Sequence, residues 1–183
     1  MTRITDPEYL RQRWFDQPLK AMEDPNFIPE GNGAIIALMA VFPLYERYIK
    51  HQCIQSGFHK DNYDALKQFR ARDLGLSDNP TTDADQFWNV FRDGLGHFGM
   101  PFEDSTKARE NDWELPKIYL GGECGHLPKF IVNEKNERVV TLNPWGFVQF
   151  VLDKYRADPN LLAQNPDSPL LPLLLVGREE IGQ

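Results

Sequence analysis

The chain has 183 residues, of which 41% are hydrophobic and 12% aromatic, enough for one buried core and too apolar for a disordered chain. Its 20 Lys and Arg stand against 27 Asp and Glu, a formal charge of -7. That excludes a protein that coats nucleic acid through bulk positive charge, though not a local basic groove.

One domain over 1–183 is expected. No apolar run follows the first basic residues, and the longest apolar stretch, Ala34–Phe42, falls far short of the ~20 residues of a membrane helix. A soluble cytoplasmic protein without membrane contact is the expectation. Cys53 and Cys124 fit that setting as free thiols.

Residues 1–33 mix Pro18, Pro25 and Pro29 with Trp14, Phe15 and Phe27, the texture of an irregular arm whose aromatics pack on the body. From residue 34 to about 100 the pattern is a helical core. Ile35, Leu38, Phe42, Tyr45, Ile49 and Cys53 recur at steps of three and four, one helical stripe, with a kink or break expected at Pro43. A second helix is expected from a cap at Asp61 to a stop at Gly75. A third begins near Thr82, its Asp83 and Asp85 favoured by the helix dipole, and carries Phe87, Trp88 and Phe91 toward Leu95.

Over 115–157 the texture turns strand-like. Lys129–Asn133 and Arg138–Leu142 flank a turn and predict a β-hairpin over 129–142, after which Asn143-Pro144 caps a helix ending at Asp158-Pro159. The tail, 158–183, contains the apolar run Leu170–Val176, expected to dock on the core or on a second subunit. The fold class is therefore mainly α, a compact helical bundle with one small hairpin.

Arg92-Asp93-Gly94-Leu95-Gly96-His97 is the most specific local feature. Metal-free RNA cleavage needs a group to move protons at the 2′-OH and the leaving oxygen, and a group to balance charge on the phosphorane-like transition state. Histidine suits the first near neutral pH, and a guanidinium fork suits the second. On a regular α-helix, however, residues five apart lie about 140° from one another. Glycines that bend the chain, or two such segments facing across a two-fold dimer, would bring them together.

The hexapeptide resembles the R-x4-6-H motif of the HEPN superfamily. The resemblance spans roughly residues 34–100 and implies a helical bundle, commonly homodimeric, and in many members a metal-independent endoribonuclease. It assigns charge stabilisation to Arg92, proton transfer to His97 and an orienting role to Asp93. RNA is the implied substrate, and a toxin or defence effector with a protein partner such as an antitoxin is the implied setting. Gly96, Gly99 and Pro101 depart from the long helix that follows the histidine in many members. The residues leave a second reading open, in which Gly94 ends a helix, Arg92 pairs with an acidic neighbour, and the chain is a non-catalytic interaction module.

Two further features carry alternatives. Residues 46–72 hold Arg47, Lys50, Lys60, Lys67, Arg70 and Arg72, either a phosphate-tracking surface or solvated helix faces, and Glu46 is a possible partner for Arg92 or Lys50. Cys124-Gly-His126 is a single metal-type pair where a structural zinc site uses two, so no metal or cofactor is expected.

Overall fold

This structure, a computed structural model, describes residues 7–23, 33–77, 79–95 and 116–162. It is mainly helical with a small three-stranded sheet. The N-terminal residues it describes are helical rather than irregular: α1 (Pro7–Arg11) runs through a π-helical segment (Gln12–Asp16) into α2 (Gln17–Glu23). Arg11, bonded to Glu8 and Asp16, ties the turns together, and Phe15 and Leu19 pack against the core. Pro18 follows directly on the π-segment, inside the continuous helical run. Phe27 lies outside the described residues.

Helix α3 (Gly33–Gln55) is continuous through Pro43, so the chain does not divide into two helices there. Pro43 lies on the exposed face beside Met39, whose carbonyl loses its helical donor and can meet water instead. The opposite face buries Ala37, Leu38, Val41, Phe42, Tyr45 and Ile49. Helix α4 (Tyr63–Asp73) is capped by Asn62 rather than Asp61: the Asn62 side chain accepts from the Ala65 N–H at 3.0 Å. Its end follows expectation. Gly75, at φ 66°, lets the Gly75 and Leu76 N–H groups close on Arg72 and Ala71.

Helix α5 (Pro80–Phe87) starts on a first-turn proline, earlier than Thr82, and passes into a second π-helical segment (Trp88–Asp93). The sheet is larger than the expected hairpin. Strands β2 (Lys129–Val132) and β3 (Arg138–Leu142) do form it, in register Phe130↔Val140. Strand β1 (Lys117–Leu120) then adds in parallel on the far side of β3, giving the order β1-β3-β2. Ile118, Phe130, Val140 and Leu142 turn to the helices. Helix α6 (Pro144–Ala157) starts directly from β3, capped by Asn143 as expected, and a short 3-10 turn (Pro159–Leu162) follows.

The core centres on Phe42. Its ring meets Phe147 at 5.2 Å, Phe87 at 5.6 Å and Phe91 at 6.0 Å between centroids, so α3, α5, the second π-segment and α6 converge on one side chain. Alongside, the buried Tyr155 hydroxyl of α6 donates to the Leu44 carbonyl of α3 at 2.7 Å. No helix among the described residues is long and apolar enough to cross a membrane.

Candidate functional site

The second π-segment decides where the motif's first residues stand. Its inner side buries Val90 and Phe91, and Trp88, packed against the core, turns toward α3 and α4. Arg92 follows on the outer side, about one-third exposed. Gly94 is helical (φ -58°, ψ -54°), and helix continues to Leu95, so Gly94 is not a stop. The i→i+5 closure ends at Asp93, and Gly94 and Leu95 return to α-helical geometry. His97, the other half of the motif, lies outside the described residues.

Arg92 is held on two sides. Its Nε and Nη2 both donate to Glu46 Oε2 of α3 at 3.2 Å, and its Nη1 donates to Asp93 Oδ1 at 3.0 Å. Glu46 is shared, since Lys50 Nζ lies 2.9 Å from its Oε1. Glu46 therefore serves both Arg92 and Lys50, the two partners its position on α3 suggested. Burial pushes the Glu46 carboxyl up, but the Lys50 hydrogen bond and the Arg92 charge outweigh it and hold the pKa below its ordinary value. Burial likewise opposes the Arg92 charge, and attraction to Glu46 together with the Asp93 bond overcomes it. Asp93 thus holds the arginine. The guanidinium carries five N–H donors and its contacts among the described residues use three.

A second cluster, which the sequence did not suggest, sits behind Trp88. The Arg70 guanidinium of α4, buried, stacks 4.5 Å from the Trp88 ring and lies 3.9 Å from Asp85. Asp85 also accepts from the Tyr63 hydroxyl at 2.8 Å and pairs with Lys67 at 3.2 Å. Asp83, two residues earlier, pairs with Arg138 of β3. Asp83 and Asp85 are therefore buried ion-pair anchors joining α5 to the sheet and to α4, more than first-turn charges favoured by a dipole. The one available signal was their spacing of two inside an aromatic helix, which sends them to different sides.

Most cations of 46–72 have partners within the chain. Arg47 donates to the Leu162 carbonyl at 2.8 Å, Lys50 and Lys67 pair with Glu46 and Asp85, and Arg72 stacks on Phe69 at 4.8 Å. Arg47, Lys50 and Lys67 are thus tied within the chain, while Arg72 stands on an exposed helix face. Cys53 is buried in α3, and His126 packs over Gly146 at the start of α6. Among the described residues no group of three His, Cys, Asp or Glu side chains could hold a metal ion. Comparison with protein-family models, with curated proteins and with solved structures finds no match to this chain.

Proposed function

We propose that the chain is a metal-independent endoribonuclease of the HEPN type, acting through Arg92 and His97. The observation that carries this is Arg92 itself: a guanidinium about one-third exposed, fixed by Glu46 and Asp93, with two N–H donors that no described residue takes up. A held arginine meets a transition-state charge without losing side-chain freedom at that moment. In the reaction, the 2′-OH attacks the adjacent phosphorus and yields its proton to a base, and the 5′-oxygen leaves with a proton. The products are a 2′,3′-cyclic phosphate and a 5′-OH, and His97 supplies proton transfer. Homodimerisation that sets two motif segments face to face, and a toxin or defence setting with an antitoxin-like partner, belong to the same proposal.

One observation favours a second reading. Glu46 and Asp93 balance the charges of Arg92 and Lys50, as a purely structural ion cluster would. In that reading the chain is a non-catalytic interaction module. RNA cleavage in excess EDTA separates the two. The nuclease reading expects cyclic-phosphate ends from the wild type and loss of at least a hundredfold in rate in Arg92→Ala and His97→Ala, both still folded. Cleavage retained in folded His97→Ala, or none by the wild type over a broad RNA panel, overturns it in favour of the module.

A further inference from the structure

We infer that the outer stripe of α3 is the seat of the chain's own apolar run, Leu170-Leu-Pro-Leu-Leu-Leu-Val176, independently of any nuclease activity. Ile36 is 44% exposed and Met39 41%, with Pro43 also exposed, so three successive turns of α3 present apolar side chains to solvent. Ile36, Pro43 and Arg47 fall on one stripe, at steps of seven and four. At the C-terminal end of that stripe, Arg47 Nη2 donates to the carbonyl of Leu162, the last residue described. The chain leaves the core at the stripe's own end.

Geometry and composition then favour the tail as occupant. From Arg47 back to Ile36 is about 16 Å of helix at 1.5 Å per residue. The connecting sequence, Ala163-Gln-Asn-Pro-Asp-Ser-Pro169, is polar and holds two prolines, and at ~3.1 Å per residue it reaches roughly 22 Å. That places Leu170–Val176 within reach of Ile36, Met39 and Pro43. Attachment through so short a connection gives the run a local concentration on the order of millimolar, which favours it over a second copy at ordinary protein concentration.

The test uses the full chain carrying Met39→Cys with Leu173→Cys, and Cys124→Ser to remove the accessible native thiol. Both engineered sites avoid the described core, so folding is retained. Mild oxidation at micromolar protein is expected to give an intrachain disulfide at monomer mass, in several-fold higher yield than the control pair Ile131→Cys with Leu173→Cys on the sheet. Adding Ile36→Asp is expected to lower that yield several-fold. Interchain products, equal yields from the two pairs, or no disulfide although both thiols take maleimide, each overturn the assignment.

Discussion

At the scale of single residues, Glu46 is the side chain on which the motif's geometry turns. It faces two cations, and its depressed pKa makes it a source of stability that depends on acidity. A carboxylate whose folded pKa lies below its unfolded value of ~4.3 contributes fully above that value, and the contribution disappears as pH falls through the folded pKa. Glu46→Gln is therefore expected to cost about 1 kcal/mol at pH 6, within the range for partly exposed charged hydrogen bonds. It should also flatten the loss of stability between pH 6 and pH 3.5. Urea unfolding of both proteins at the two pH values reads the effect. Identical pH dependence would mean that Glu46 is not held as described. The Glu46–Arg92 contact was legible as one of two pairings. The cluster of Arg70, Asp85 and Trp88 was not, because a buried arginine on a charged-looking helix leaves no periodic trace.

Among the elements, α3 is the one whose integrity most defies its sequence. A proline eleven residues into a 23-residue helix ordinarily kinks or ends it, at a cost of about 3 kcal/mol, yet α3 runs through. Packing explains the difference. The buried face on both sides of Pro43 is anchored by Leu38, Phe42, Tyr45 and Ile49 to α6 and the second π-segment, so tertiary contacts override the local break. Pro43→Ala restores an N–H for the Met39 carbonyl and removes the ring clash, while an unfolded chain with more freedom offsets part of the gain. Thermal or urea unfolding is expected to show stabilisation of about 1–2 kcal/mol. A destabilised variant would show that the ring's contacts outweigh the restored bond. The hairpin and the start of α6 were legible because turn and cap residues act locally. The helical character of 7–23 was hidden by Pro18, which the helical run carries in its interior just after the π-segment. Strand β1 was only hinted at, since its partner lies about twenty residues away and parallel pairing has no local signature.

For the whole molecule, Phe42 links sheet-bearing and motif-bearing parts through Phe87, Phe91 and Phe147. Phe42→Ala is expected to cost about 3–5 kcal/mol, a substantial share of a single domain's stability, measured as a fall in urea midpoint. A loss below 1 kcal/mol would show that the four elements cohere without their shared ring. The mainly helical class was legible from hydrophobic spacing. What the spacing could not reveal is the phase of the second π-segment, because an i→i+5 closure leaves the residue types unchanged. That phase has an evolutionary consequence. Loss of one codon between Trp88 and Arg92 could relax the π-turn to an ordinary α-turn, with the aromatic core left largely in place. Everything downstream, Arg92 included, would keep its facing, because the residue that closes the π-turn five places on would close the α-turn four places on. Along this stretch, a residue gained or lost is absorbed by the type of turn. Lineages of this protein should therefore accept a single-residue gap here that would rotate the chain elsewhere in a regular helix.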